Sequence, residues 1–335
     1  MSTPFSLENS QKFYQDMLVW DGHAGIFPSP NVDLNKLIEW HESGANYISI
    51  NVGFDVMNFE QTMATLAAYR RWFATTPHKD IILASTVADV IQAKKDNKLA
   101  VTFDIEGVNA LNGNADMVRV YHALGVRQML LSYNLNNKAA GGCHGEDMGL
   151  TEFGQQVIGE MNDVGMIVDC SHTAYKTTMD MMALSSKPVV FSHSNPKNIC
   201  DHQRNILDEQ IKACANTGGL VGVVGMGIFL GNNESTTENY LKHICYLTDL
   251  VGAEHVGLGL DYSPKMDLDV GEILRSRPDF WPPGNAYDTK DIGHYSPAQF
   301  HELLEAMMKK GFSQHEIEGI FGGNFMRVAK AVWAA

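Results

Sequence analysis

The sequence predicts an α/β protein built as a closed (β/α)8 barrel, and three observations carry that expectation. Eight short apolar runs alternate with stretches of helical period. The runs are continuously apolar, as strands buried on both faces of a parallel sheet must be. Polar side chains sit at their C-terminal ends, the face on which a barrel gathers its working groups. A doubly wound open sheet is the alternative, but six such strand ends would not converge there.

In chain order the runs are MLVWDGH (17–23), YISINV (47–52), KLAVTFDIE (98–106), RQMLLSY (127–133), MIVDCSH (166–172), KPVVFSH (187–193), GLVGVVGM (219–226) and HVGLGLDY (255–262). Amphipathic stretches such as TEFGQQVIGEMNDVG and YKTTMDMMALSS lie between them, and Thr151 and Ser296 read as helix N-caps. No repeat of 20–50 residues and no Pro/Ser-rich linker divides the chain, so one domain over residues 1–335 is expected. The side chains at the strand ends are His23, Glu106, Tyr133, His172, His193 and Asp261.

Composition narrows the function classes. The 335 residues carry 25 basic and 39 acidic side chains, a formal net charge of −14. Such a surface repels phosphate backbones and anionic membranes, so neither nucleic acid nor membrane is an expected partner. Cys143, Cys170, Cys200, Cys214 and Cys245 are odd in number and form no C-x-x-C pair, which argues against a zinc finger or a disulfide framework. Reduced thiols in a cytoplasmic protein fit best, with Cys170 in the core. The N-terminus lacks the basic and apolar regions of a secretory signal. The run GGLVGVVGMGIFLG is too short and too rich in glycine to span a membrane.

The strand-end residues have a coherent chemistry. His172 and His193 end adjacent runs, which brings two imidazoles side by side, and imidazole is the commonest nitrogen ligand of Zn²⁺. Taken singly, each reads as well as a satisfied loop histidine. Glu106 ends an apolar strand, where a carboxylate is costly to bury unless paired or bound to a cation. It is a candidate ligand of one ion or a bridge between two; a structural ion pair with Arg127 or Arg204 is the other reading. His23 ends the first run, with Asp21 as a candidate partner for its ring, or else facing solvent or another strand. Asp261 is a candidate proton carrier, or else a helix cap or a partner of Arg204. Arg204, after the sixth run, suits a substrate carboxylate, or is simply a surface residue.

The segments GLTEFGQQVIGEMNDVGMIVDCSH, PVVFSHSN, DHQRNI, HVGLGLDY and GGNFMRV resemble, in the same order, those of the membrane (renal) dipeptidase family of zinc peptidases and its bacterial relatives, from about residue 18 to about 330. The resemblance implies a (β/α)8 barrel of the metal-dependent hydrolase type, a homodimer, and a two-zinc site that hydrolyses dipeptides. It implies His23 as the first-strand ligand, Glu106 as the bridging carboxylate, and His172 and His193 as the pair on the second ion. It further implies Arg204 for the substrate carboxylate and Asp261 as the active-site aspartate. The chain departs from the family pattern twice. The family's first-strand His-x-Asp is here His23-Ala24-Gly25, so a carboxylate ligand is missing. A substrate-contacting His after the fourth strand is replaced by Tyr133, in LLSYNLNN.

The expectation is therefore metal-assisted hydrolysis with one tightly bound Zn²⁺ and a second ion weakened by Gly25. Asp261 takes or relays a proton, Tyr133 donates to the oxyanion, and Tyr133, Asn134 and Arg204 bind a dipeptide or similar amide. Two rivals stand beside it: an amidohydrolase acting on another small amide or N-acyl amino acid, and a catalytically inert relative serving as a binding protein. The aromatic stretch 273–297 is expected as a lid, a pocket wall or a dimer contact.

Overall fold

Strand-forming residues occur in this chain where both faces are to be covered. In the computed structural model, which describes residues 5–265 and 270–333, all eight residues of β2 (Tyr47–Phe54) and of β4 (Leu99–Glu106) are buried. The remaining strands are β1 (Trp20–Ala24), β3 (Ile81–Leu83), β5 (Val126–Leu130), β6 (Ile167–Asp169), β7 (Val190–Phe191), β8 (Leu220–Val223) and β9 (Val256–Leu258). Every pairing between strands is parallel, and the order β1-β2-β4-β5-β6-β7-β8-β9 returns to β1. That closes an eight-stranded barrel, and its strands are the eight runs read from the sequence. The ninth, β3, was not expected. It lies outside the ring, pairing with β4 at residues 99–101, below the point where β5 takes over.

Helices cover the ring. In Glu152–Val164 the residues Val157, Ile158 and Met161 face inward at helical spacing. Thr151 caps it as expected, accepting from the Gly154 N–H at 3.1 Å, and Gly165 ends it in left-handed geometry. Ser296 opens a 3₁₀ turn, Pro297–Gln299, that runs into helix Phe300–Lys310.

The two ends of the barrel are filled differently. At the N-terminal end the helix Asn324–Val332 sends the Phe325 ring among the strands, parallel to Trp20 at 6.0 Å, with Tyr47 stacked on the other side of the cluster at 3.6 Å from Trp20. Glycines make room for it: a Cβ on Gly257 would lie 2.7 Å from the ring, and one on Gly22 would overlap it. At the C-terminal end the strands carry polar residues. There the β1–β2 register shifts between Asp21 and Ala24, a bulge that re-aims the stretch carrying His23.

Candidate metal centre

Four strand ends converge on one oxygen. Glu106 Oε1 lies 3.4 Å from His193 Nε2, 3.5 Å from His172 Nε2 and 3.7 Å from His23 Nε2. The two nitrogens of His172 and His193 are 3.0 Å apart, and the His23 and His193 rings stack at 4.1 Å. All four residues are buried.

The partners behind each ring fix where its lone pair points. His172 Nδ1 donates to Asn134 Oδ1 at 2.6 Å, because the Asn134 amide N–H is already given to the Phe280 carbonyl. His193 Nδ1 donates to Ser192 Oγ at 2.7 Å, since that hydroxyl donates to Asp169. His23 Nδ1 faces Asp104 Oδ2 at 3.3 Å. In its neutral form each ring therefore presents an Nε2 lone pair to the same point. Glu106 Oε2 accepts from Asn51 Nδ2 at 2.5 Å, whereas Oε1 is buried with no hydrogen-bond donor. Three nitrogen lone pairs and an unpartnered carboxylate oxygen repel one another unless a cation lies between them. Ligand atoms ~2.0–2.1 Å from a tetrahedral ion stand ~3.3 Å apart, close to the spacings of the His172, His193 and Glu106 atoms. The donor set thus fits a divalent ion of the zinc type.

The electrostatics agree. Burial, reinforced by the charges of Arg204 and His23, holds His172 and His193 well below the ordinary histidine range, in the neutral form that binds metal. Burial pushes Glu106 up to about 8, so a cation is what would keep it ionised. His23 is the exception: burial opposes its charge, but Asp104 and Glu106 outweigh it and raise its pKa well above the usual value, so an ion bound there would have to displace a proton from the ring.

Asp261 and Arg204 flank this cluster. Asp261 Oδ1 is 3.7 Å from His23 Nε2, and burial raises its pKa. Arg204 is 2 % exposed, donates to Ser194 Oγ and to the His193 carbonyl, and keeps a buried Nε without a partner. No carboxylate lies within 4.0 Å of it among the described residues. It lines a cleft of about 220 Å³ together with His172, Cys143 and Gln203. A buried, unpaired guanidinium is costly unless an anion reaches it.

Tyr133 stacks on His172 at 4.2 Å, and its hydroxyl accepts from Trp281 Nε1 at 3.3 Å. Asp55 steadies this loop by accepting from the Tyr133 N–H at 3.0 Å and from Asn137 Nδ2 at 2.7 Å. Trp281 belongs to the 273–297 stretch, which packs Phe280, Trp281 and Tyr287 against Phe54, Val224, Ile228 and Phe229 over the barrel mouth. Through Trp281 that stretch packs against Tyr133, beside the His172 ring. Three residues here, Asn134 (φ 59°), His172 (φ 62°) and Asp261 (φ 52°), hold left-handed backbone without being glycine. Such geometry is uncommon and concentrates at functional sites.

Some expectations need correction. Asp21 is not the partner of the His23 ring: its carboxylate accepts from Trp40 Nε1 at 2.8 Å and from the Leu260 N–H at 2.8 Å, and Asp104 takes that role. Among the described residues Glu106 has no ion pair with arginine. Arg127 spends its guanidinium on the carbonyls of Ser85, His122 and Val126. Asn134, expected to bind substrate, is fully buried behind His172 with both ends of its amide engaged. The signal for Asp104 was present in VTFDIE: two residues before Glu106 on one strand, it shares the inward face.

Comparison with known proteins agrees with this geometry. The family profile described as membrane dipeptidase (peptidase family M19) matches residues 12–271. An uncharacterised dipeptidase of Schizosaccharomyces pombe is 30 % identical over 262 residues, covering 76 % of this chain and 58 % of its own length. The dipeptidase verJ of Clonostachys rogersoniana is 28 % identical, covering 98 % of this chain and 87 % of its own. This chain thus spans little more than half the length of the fission-yeast relative. Among solved structures, an amidohydrolase from Pseudomonas aeruginosa superposes with a TM-score of 0.88 at 27 % identity, over 97 % of this chain and 99 % of that one.

Proposed function

Because the chain belongs to the membrane dipeptidase family, peptidase family M19, we propose that it is a metal-dependent dipeptidase, with zinc as its ion. The observation that carries this is the meeting of three histidine Nε2 atoms on the unpartnered Glu106 Oε1, beside a buried arginine with no carboxylate within 4.0 Å among the described residues.

His172, His193 and Glu106 would hold the firmly bound ion, with His23 completing the cluster. A divalent ion there supplies polarisation of the scissile carbonyl and a lowered pKa for water. Arg204 binds the substrate's terminal carboxylate, and its free Nε adds a donor toward the cleft. Asp261, on the His23 side, takes the proton of the attacking water and passes it toward the leaving amine. The Tyr133 hydroxyl already accepts from Trp281, so its own hydrogen is left to donate to the developing oxyanion. Asn134 acts one step back, by holding the His172 ring. The aromatic wall of Phe280, Trp281 and Tyr287 limits access of bulk water. The substrate is a small molecule of dipeptide size, matching the modest cleft. A homodimer and a cytoplasmic location are part of the same proposal; five free thiols support the latter.

Tyr133 standing where the family carries a histidine favours a second reading, an amidohydrolase of small N-acyl amino acids, which would use the same arginine. One experiment separates the readings. Metal content is measured on protein purified without added metal, and Gly-D-Ala, L,L-dipeptides and N-acyl amino acids are assayed on that sample. Bound zinc with dipeptide turnover is expected. Turnover of N-acyl amino acids alone would select the second reading. No turnover of any substrate after zinc addition would leave an inert binding protein.

A further inference from the structure

The loss of a carboxylate at position 25 leaves a question that the geometry answers. A Cβ built on Gly25 would lie 2.6 Å from Asp261 Oδ1 and 2.6 Å from the Asp261 carbonyl oxygen. The space where a side chain at 25 would begin is therefore already filled, and what fills it is a carboxylate. The exchange is held in place by backbone bonds: the Asp261 N–H donates to the His23 carbonyl at 2.9 Å, and the Gly25 N–H to the Tyr262 carbonyl at 3.0 Å. Asp261 also sits in left-handed backbone at φ 52°, which turns it off the line of its strand.

We propose that Asp261 is the carboxylate ligand of a second divalent cation, held with His23 Nε2 and Glu106 Oε1, and that it replaces from β9 what β1 lacks. Both oxygens lie 3.7 Å from His23 Nε2, within a few tenths of an ångström of the ~3.3 Å spacing of ligand atoms around a tetrahedral ion. Among the described residues no hydrogen-bond donor reaches the Asp261 carboxylate, and Glu106 Oε1 is buried without one. Asp104, in turn, fixes the His23 ring so that its Nε2 faces the two oxygens. Glycine at 25 is then a condition of the site, since any larger residue would push Asp261 aside. Asp261 binds through Oδ1 and keeps Oδ2 for the proton assigned to it above, so the inference rests on the proposed hydrolase.

The test counts ions. The metal-free full chain is titrated with Co²⁺, followed by visible absorption, and its Zn²⁺ content is measured by elemental analysis after dialysis against micromolar Zn²⁺. Two equivalents are expected for the natural chain. Asp261→Asn, which keeps size and shape, is expected to hold one, its second equivalent weakened beyond the ~10–100-fold that losing an outer partner costs. His172→Asn is expected to keep the ion held by Asp261. A Co²⁺ titration of the natural chain that ends at one equivalent overturns the proposal, and needs no variant to fold. So does an Asp261→Asn chain that holds two ions. Two bound ions without turnover of any amide would sink the hydrolase reading while leaving this site standing; one ion with dipeptide turnover would sink this site alone.

Discussion

The two ends of this barrel are made from the same strands and obey opposite rules. At the N-terminal end β1 presents Trp20 and β2 presents Tyr47, and the space between strands is filled to contact by Phe325 and Trp333. There the Tyr47 hydroxyl meets Thr102 Oγ1 at 2.5 Å, while the uncharged Trp333 indole N–H is buried without a partner. A few residues further along, the same strands present His23, Asn51 and Glu106, and a buried oxygen is left without a donor. One end is filled by the chain's own side chains. The other is complete only with a cation and an anion from outside. Stability and function are thus separated by depth along a strand, not by domain.

That separation can be attacked from either side. The largest effect expected is from removing metal: chelation should abolish turnover, and returning Zn²⁺ to a thousand times its dissociation constant should add ~4 kcal/mol of stability, read as a rise in melting temperature. A melt indifferent to Zn²⁺ would mean that the mouth needs no ion. Next, Phe325→Ala should cost ~3–5 kcal/mol in denaturant unfolding while the folded variant keeps its zinc. Loss of metal in the folded variant would show that the two ends are coupled. Arg204→Lys keeps the charge but loses the fork; it should raise KM for dipeptides by ~10–100-fold, the ~1.5–3 kcal/mol of a charge-assisted hydrogen bond. Dipeptide amides, which lack the carboxylate, should be unaffected, and an equal loss on both would remove Arg204 from carboxylate binding. The smallest effect is expected of Asp104→Asn, which leaves the ligands alone and should weaken the ion next to His23 by ~10-fold.

The barrel was legible because its strands are covered on both faces and so read as unbroken apolar runs. The strand missed, Ile81–Leu83, is three residues long, lies outside the ring and ends in no functional group, so neither length nor a polar marker announced it. In the site, His23, Glu106, His172, His193 and Asp261 showed themselves as polar residues closing such runs. Their supports did not. Asp104, Ser192 and Asn51 lie within or beside the apolar runs, where a polar residue reads equally as a solvent-facing one until the bulge in β1 and the closure of the ring decide which way it points. Asp21 lies two residues from His23 in sequence, but the partner of that ring comes from β4, and Asn134, next to Tyr133 in sequence, turns its amide to His172.

The glycine-lined socket for Phe325 has a consequence for how the chain is made. The ring belongs to residue 325, after the nine strands of the described residues, while the glycines that admit it lie at 22, 222 and 257. A nascent chain emerging from the ribosome therefore possesses every strand of the ring before it possesses the wedge that holds its base. Until that wedge arrives, the base of the ring lacks its filling, and the stretch that carries Phe325 is the one that supplies it.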